Sequence, residues 1–309
     1  MAQHQKSIYS ALLANVLIAI TKFVAGVFTN SSSMISEGIH STVDTVNQIL
    51  LLYGIKRSKK PADSQHPFGY GRELYFWSFI VSILIFGLGG GLSIYQGILH
   101  IVNVEELGDP TWNYIVLAVS FLFEGISLFI AIKEFNATRK GVPFWKAVVG
   151  SKDPASFLVL FEDGAAVLGL LIVFVLMQCS HAFNMPYLDG VASVLVGLLL
   201  IAVSLILARE SRSLLMGEGI APATKDRIKV IAEEDEAIVS VGHILSTYQS
   251  PEEVVLMLTI YFKSDLDTVA ITDAIDRIRA AIKNEYSLIE FVIIQPVATA
   301  LKKDDNNWD

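Results

Sequence analysis

Cysteine is almost absent from this chain of 309 residues, since Cys179 is the only one. A single cysteine excludes an internal disulfide framework and a metal cluster held by several thiolates. The chain also lacks a Walker motif, a glycine-rich phosphate loop and a nucleophile motif, so neither nucleotide-driven pumping nor enzyme catalysis is indicated. No nucleic-acid signature is present, and the net charge of −8 does not by itself argue for a basic partner.

Lysine and arginine are missing from every second connection between the long apolar segments: Thr29–Ser32, Asn103–Thr111 and Gln178–Pro186. Because basic residues favour the cytoplasmic side of a membrane, the alternation predicts that both termini are cytoplasmic. The other connections and the exit from the last segment are basic, with Lys56, Arg57, Lys59, Lys60, Arg72, Lys133, Arg139, Lys140, Lys146, Lys152, Arg209 and Arg212.

Hydrophobic residues make up 53% of the chain and form six segments long enough to cross a bilayer. The first is too long for the apolar region of a signal peptide and no cleavage pattern follows it, so we expect a true span. Only seven residues precede it, with Lys6 as the one basic residue, which favours a bacterial inner membrane over a mitochondrial address. The segments run approximately over Ile8–Thr29, Ser33–Tyr53, Tyr75–Val102, Trp112–Ile132, Ser156–Met177 and Tyr187–Leu207.

The second apolar segment carries four polar residues, Glu37, His40, Asp44 and Asn47, at spacings of three and four. These spacings place the side chains along one stripe of a helix. An ionisable group at the centre of a bilayer costs about 2.5–3.5 kcal/mol, so such groups usually face a cavity or bind a substrate. Histidine and aspartate four residues apart suit zinc and its neighbours in the first transition row. The stripe therefore predicts a pathway for metal ions.

After Arg212 the composition changes to that of a small soluble domain, and Met216–Pro222 is a glycine- and proline-containing linker. The predicted order, αββαβ, gives a small α+β fold with the helices on one face of the sheet. We therefore predict an α-helical membrane protein, with six transmembrane helices in 1–213, a ferredoxin-like cytoplasmic domain in 214–301 and a polar, disordered tail in 302–309. The predicted elements are a helix over Thr224–Glu234, strands over Ile238–Thr247 and Val254–Phe262, a helix over Thr268–Tyr286 and a strand over Ile289–Ile294.

Together, the six spans, the His40–Asp44 pair, the loop Ser64–Arg72 (SQHPFGYGR) and the αββαβ domain resemble the cation diffusion facilitators. Three segments are similar to the mitochondrial-type zinc transporter subgroup: Ser36–Gln48 (SEGIHSTVDTVNQ), Gly89–Gly97 (GGGLSIYQG) and Ser151–Gly169 (SKDPASFLVLFEDGAAVLG). The resemblance implies a homodimer in the lipid bilayer that moves divalent metal by alternating access, usually against protons. It also implies that the soluble domain supports dimerisation. Because His243 is its one histidine, a regulatory binuclear site is not expected.

The fifth span departs from the family pattern of two ligands four residues apart. Asp163 fits the second position, but Val159 at the first cannot ligate, and Glu162 is rotated by about 100° on an ideal helix. In one interpretation His40, Asp44 and Asp163 bind the ion and water completes the coordination. In the other, which we favour, Glu162 joins them as a fourth ligand. The structural alternative is that these acids pair with Lys22 or hydrogen-bond to Asn15.

Three further residues are candidates with smaller roles. Asp63 and His66 lie three residues apart in the loop after the second span, where the resemblance suggests a second metal site that two ligands alone would make weak. A further ligand of the family pattern is replaced by Tyr70, so we favour a structural role for His66 in the turn. Glu124, in the middle of the fourth span, is either a proton relay or gate, as the resemblance suggests, or a helix-packing residue.

We therefore expect a secondary transporter that exports a divalent transition metal, zinc first, from the cytoplasm by proton antiport, with no resident cofactor. Metal ligands must be deprotonated, so cation binding expels protons. We expect at least one proton per metal ion, with His40 as its carrier. Manganese, iron and cobalt accept similar ligands and remain alternatives. A channel or a metal-gated sensor is the rival class, although conduction needs weaker, multiple sites.

Overall fold

The computed structural model describes residues 2–104, 109–139, 141–144, 147–148 and 151–298, with side chains from Asn15 onward except at 138, 155 and 298. The predicted polar tail 302–309 and the basic residues Lys140 and Lys146 lie outside this part. The chain divides into two compact units. One contains residues up to Ser58 and from Glu73 to Arg212, and the other contains the loop 59–72 and the chain from Ser213 onward.

Helices occupy all six predicted spans. Helix α3 continues through a π-helical segment, Ile85–Gly91, into α4, so Glu73–Val102 forms one span. Of the described helices, this one and three others are long and apolar enough to cross a membrane, whereas the polar stripe makes α2 less apolar than these four. The helices are α1 Ala2–Thr29, α2 Ser32–Ser58, α3 Glu73–Leu84, α4 Leu92–Val102, α5 Thr111–Thr138, α6 Pro154–Phe183 and α7 Tyr187–Met216.

These seven described helices run between two ends that we name by their residues. The basic end carries Lys56, Arg57 and Lys152, and the opposite end carries the turns at Asn30 and Asn184. Both asparagines have positive φ, 52° and 50°. Asparagine tolerates this left-handed conformation better than most residues, which lets α1 end and α2 begin after a single turn.

Helix α2 is the least apolar of these helices, yet it packs against α1, α3, α4 and α6. Its buried residues include the polar side chains of Glu37, His40, Ser41 and Asn47. Polar groups inside a membrane are tolerated where they face protein or a cavity instead of lipid. The polar composition of α2 thus places it among the other helices.

Helix α4 and the π-helical segment approach α7 very closely. A Cβ atom at Gly97 would lie 2.6 Å from the carbonyl oxygen of Gly190, and one at Gly90 would lie 3.0 Å from that of Gly197. Glycines at helix interfaces allow such close backbone approach in membranes. The spacing of seven residues on each helix repeats the contact after two turns.

The second unit has the predicted αββαβ order. β1 and β2 are antiparallel and β2 and β3 are parallel, in the order β1-β2-β3. Asp267 caps the second helix by accepting a hydrogen bond from the backbone nitrogen of Ala270 at 2.8 Å. The elements are α8 Pro222–Glu233, β1 Ile238–Ser250, β2 Glu253–Phe262, α9 Thr268–Glu285 and β3 Ile289–Ala298.

The two helices of this unit cover one face of its sheet. Ile228 of α8 and Ile278 of α9 share a core with Leu256 and Leu258 of β2. Because side chains alternate across a strand, the residues between them point to the other face. There, Leu245, Met257 and Ile293 form a row across the three strands and are 41–59% exposed.

The loop 59–72 packs against the same sheet. The ring of Phe68 lies edge-on to that of Phe291 in β3, with centroids 5.6 Å apart. Arg72 Nη2 donates to Thr247 Oγ1 of β1 at 2.9 Å. The loop between α2 and α3 therefore belongs to the sheet unit in three dimensions, although the sequence places it in the helical half.

Candidate functional site

The polar stripe of α2 holds a buried histidine–aspartate pair. His40 is 2% exposed, and its Nδ1 lies 3.5 Å from Asp44 Oδ1, one helical turn away. His40 Nε2 has no hydrogen-bond partner among the described residues. If the ring proton is on Nδ1, facing the carboxylate, then Nε2 offers a free lone pair.

The two acids of α6 face different helices. Glu162 Oε1 accepts a hydrogen bond from Asn47 Nδ2 of α2 at 2.7 Å. Asp163 Oδ2 accepts one from Ser127 Oγ of α5 at 2.7 Å. Neighbouring residues on a helix are rotated by about 100°, so α6 presents one carboxylate to each partner helix. Glu162 is thereby turned toward the polar stripe of α2.

Four carboxylates from three helices line one cavity of about 230 Å³: Asp44 of α2, Glu124 of α5, and Glu162 and Asp163 of α6. Carboxylates crowded in a medium of low dielectric constant repel one another unless protons or a cation neutralise them. The cavity is therefore suited to hold positive charge. Its other lining residues are Asn15, Gln48, Phe123, Ile126, Ser127 and Ile130.

A second cavity, of about 430 Å³, adjoins the first on the side of the basic end and shares Ser127 and Ile130 with it. Val159, at the position where the family pattern has a ligand, lines this second cavity, as does the exposed carboxylate of Glu134. The two cavities together extend from the acidic cluster toward the basic end.

The structure brings Asp44, Glu162 and Asp163 together with Glu124, which the sequence suggested as a relay. His40 contacts Asp44 but is not part of the cavity lining. Among the described residues, no three histidine, cysteine, aspartate or glutamate side chains are close enough to hold one metal ion. In this conformation the candidate ligands are thus gathered around a space larger than an ion.

Lys22 pairs with another acid than those of the candidate site. Its Nζ lies 3.0 Å from Glu37 Oε2 and donates to Ser41 Oγ at 2.8 Å, and both charged side chains are fully buried. Asn15 does line the acidic cavity. The Lys22–Glu37 pair therefore lies one to two helical turns from His40 and Asp44, toward the opposite end. It is separate from the acids that the structural alternative paired with Lys22.

The opposite end of the helical unit is held together by Asp189 of α7. Its Oδ1 accepts hydrogen bonds from the hydroxyls of Ser31 and Ser33, and its Oδ2 accepts one from the backbone nitrogen of Ser33 at 3.0 Å. His100 Nε2 of α4 lies 3.9 Å from the same carboxylate. These contacts join three helices at the end away from the second cavity.

In the loop 59–72, Asp63 is engaged by the loop itself. Its carboxylate accepts hydrogen bonds from the Tyr70 hydroxyl at 2.7 Å and from the backbone nitrogens of Gln65 and His66. These bonds, that of Tyr70 first, lower the pKa of Asp63 to about 2. His66 stacks on Tyr70 and lies 3.3 Å from Asp63. The arrangement is that of a turn in which the carboxylate organises its own loop.

Sequence reasoning missed Ser127 and the pairing of Asn47 with Glu162. Ser127 lies three residues after Glu124 on α5, and this spacing places both on one helix face. That signal was available in the sequence. The identity of the partners was not, because Ser127 and Asp163 are 36 residues apart and Asn47 and Glu162 are 115 apart.

The helical part of the chain matches a known protein family. A family model described as the cation efflux transmembrane domain matches residues 8–216. The mitochondrial proton-coupled zinc antiporter SLC30A9 of Homo sapiens is 36% identical over 244 residues, which are 78% of this chain and 43% of that protein. The chain thus spans less than half the length of that relative.

Of two other matches, one covers most of the chain and the other covers a quarter of it. The manganese efflux system protein MneP of Bacillus subtilis is 26% identical over 286 residues, 92% of each chain. A solved structure of a single-residue variant of the MamM CTD is 18% identical, covers 25% of this chain and 92% of its own, and has a TM-score of 0.24.

Proposed function

This chain belongs to the cation efflux, or cation diffusion facilitator, family of multi-pass membrane transporters, and we propose from this premise that it is a proton-coupled antiporter exporting zinc from the cytoplasm. The family's members are transporters and not enzymes. The observation that carries the proposal is the acidic cavity between α2, α5 and α6, with its extension toward the basic end.

The proposed ligands are His40 and Asp44 of α2 with Asp163 and Glu162 of α6. Asp44, Glu162 and Asp163 already line the cavity, and His40 lies against Asp44. An imidazole nitrogen with carboxylate oxygens is a donor set that zinc accepts. Binding requires these side chains to move closer together around the ion, as expected for a carrier whose two ends open alternately.

Proton coupling follows from the same side chains. A ligand must lose its proton before it binds metal, so each cation that enters the cluster releases protons, and protons arriving from the opposite end favour its release. We propose His40 as a proton carrier and Glu124, on the cavity wall, as a relay or gate. The similarity to SLC30A9, which is named a proton-coupled zinc antiporter, supports this coupling by analogy.

Manganese is the second candidate cargo, and one observation favours it. The polar residues of the cavity wall all supply oxygen: Asn15, Asp44, Gln48, Glu124, Ser127, Glu162 and Asp163. Carboxylate and carbonyl ligands suit manganese better than they suit zinc, whereas imidazole favours zinc. A requirement for His40 in transport would therefore indicate zinc, and not manganese, as the cargo.

The proposal extends to assembly and location. We propose a homodimer that is supported by the αββαβ unit, whose open sheet face carries the apolar row Leu245, Met257 and Ile293. The basic connections support an orientation with both termini in the cytoplasm, and we propose a bacterial inner membrane as the location. The cytoplasm is then at the basic end, where the second cavity lies.

The first test is metal uptake by the protein in liposomes loaded with a pH-sensitive dye, with zinc, manganese, cobalt and iron compared. We expect saturable zinc flux with opposed proton movement, lost in His40→Ala and retained in the matched control His243→Ala of the soluble unit. Zinc flux without counter-movement of protons would reject antiport. Unchanged flux in His40→Ala would place the pathway elsewhere.

A further inference from the structure

A buried ion pair between α1 and α2 takes no part in the site proposed above. The side chains of Lys22 and Glu37 are both 0% exposed, with Nζ and Oε2 3.0 Å apart. Replacing such a pair by apolar residues of similar volume is often neutral or stabilising, because desolvation offsets most of the attraction. Stability alone therefore gives little reason for two charges at this position.

Only one of the two oxygens of the Glu37 carboxylate has a partner among the described residues. Its Oε1 is buried and has no hydrogen-bond partner among the described residues, and the same is true of His40 Nε2. On a helix, residues three apart have Cβ atoms about 5–6 Å from each other on one face. An unpaired carboxylate oxygen and an unpaired imidazole nitrogen on one face are two acceptors that a divalent cation would satisfy.

Helix α6 leaves space beside this oxygen. A Cβ atom at Gly169 would lie 3.0 Å from Glu37 Oε1, which is tighter than an ordinary contact. Gly169 lies seven residues after Glu162, about two turns along the same face of α6. The free oxygen of Glu37 therefore points into the interface between α2 and α6, which also holds the acidic cluster.

We propose that Glu37 is a further carboxylate on the transport path, one step beyond His40 toward the opposite end, and that Lys22 is a resident cation that neutralises Glu37 until the transported ion binds. This inference rests on the proposed transport function. The order Asp44, His40, Glu37 gives steps of about 6 Å and 4.5 Å along the axis of α2. An ion can pass such steps without losing all its protein ligands.

The ammonium group of Lys22 has a second partner that it can keep when cargo displaces it from Glu37. Lys22 Nζ donates to Ser41 Oγ at 2.8 Å in addition to its contact with Glu37. A doubly charged cargo competes with the single charge of lysine for the carboxylate. When cargo takes Glu37, Lys22 keeps its bond to Ser41, and when cargo leaves, the ion pair forms again.

The test uses full-length protein in liposomes, with zinc as the probe, and separates turnover from KM. Glu37→Gln alone would leave a buried, unpaired ammonium group and destabilise the fold, so the double variant Lys22→Met/Glu37→Gln carries the test. We expect it to bind zinc with a KM within about threefold of wild type but to turn over at least about tenfold more slowly. The matched control removes an exposed pair, Arg227→Met/Glu285→Gln, and retains wild-type flux.

Lys22→Gln alone tests the role of the resident cation, because it removes the charge but supplies an amide that can donate a hydrogen bond to the buried carboxylate. With Glu37 unmasked, we expect zinc to bind about threefold or more tightly and to leave more slowly, so that KM and turnover both fall. An unchanged KM would overturn the masking role. Wild-type turnover in the double variant would show that the pair is structural.

If the double variant does not fold, the exchanged variant Lys22→Glu/Glu37→Lys replaces it, because it retains the ion pair but moves the carboxylate off α2. We expect zinc binding without transport, and wild-type transport in this variant would overturn the proposal. Absence of zinc flux in the wild type would instead reject the proposed function itself, so the two failures are distinguishable.

Discussion

Glu162 and Asp163 are adjacent in sequence but have different partners, Asn47 and Ser127. Changing either carboxylate to its amide keeps the shape and removes one negative charge from the cavity. For both Glu162→Gln and Asp163→Asn we expect the KM for zinc flux to rise about tenfold. Glu252→Gln, in the exposed turn between β1 and β2, is the matched control. Normal flux in Glu162→Gln with none in Asp163→Asn would favour three protein ligands completed by water.

Asp63 gives a prediction about pH. Its pKa is lowered to about 2, chiefly by the Tyr70 hydroxyl, so its stabilising effect on the loop is complete above about pH 4 and is lost as the pH falls through 2. In Tyr70→Phe we expect the pKa of Asp63 to rise toward its ordinary value. The carbon-13 shift of the labelled carboxyl group measures this, with the exposed Tyr95→Phe as control. An unchanged titration would contradict the role of Tyr70.

At the scale of single residues, the sequence predicted which side chains share a face but not what they touch. His40 and Asp44 are one turn apart, so their contact follows from helix geometry. Glu37 lies on the same stripe, yet its partner Lys22 is on another helix, 15 residues away. Such pairs depend on the packing of α1 against α2, which local spacing does not determine.

Among the elements, the contact of α4 with α7 leaves no room for a larger side chain at Gly97. In Gly97→Ala the new methyl group would meet the carbonyl oxygen of Gly190 at 2.6 Å. We expect a loss of about 1–3 kcal/mol in the free energy of unfolding, as for an overpacked core. Thermal unfolding in micelles measures the change.

Gly125→Ala on α5 is the matched control, since an added Cβ there meets no described atom within 4 Å. We expect this variant to be as stable as wild type or slightly more stable, because alanine favours a helix over glycine. Equal stability of the two variants would show that the helices separate without cost at Gly97.

Element type was predictable wherever periodicity was long and regular. In the αββαβ unit the predicted helix start at Thr268 and strand end at Phe262 agree with the structure. The π-helical segment Ile85–Gly91 was not predicted, because an apolar run has the same appearance in an α-helix and a π-helix. The polar stripe indicated that this face of α2 meets a cavity or a substrate and not lipid, and the structure buries Glu37, His40 and Asn47.

For the whole molecule, the grouping of the loop 59–72 with the sheet unit is testable. The pairing of Phe68 with Phe291 is worth about 0.5–1.5 kcal/mol, a factor of about 2–12 in the opening of the loop. We expect trypsin to cut after Lys59 faster by that factor in Phe68→Ala. The lipid-facing Phe129→Ala is the control, and equal cleavage of the two would place the loop outside the unit.

The sequence could not indicate this grouping, because the loop and β3 are more than 200 residues apart and neither has a pattern that identifies the other. The predicted boundary near residue 213 describes the chain in linear order, whereas the compact units are defined by contacts. Residues 59–72 join the unit that begins at Ser213 only when the chain is folded.

The cap at the opposite end ties the order of synthesis to the completion of the bundle. The first backbone nitrogens of any helix lack partners within it, and for α2 the one at Ser33 is satisfied by Asp189. That aspartate is in α7, the last of the described membrane helices to leave the ribosome. Helix α2 therefore enters the bilayer with its first turn unfinished, and final assembly waits until α7 has been inserted.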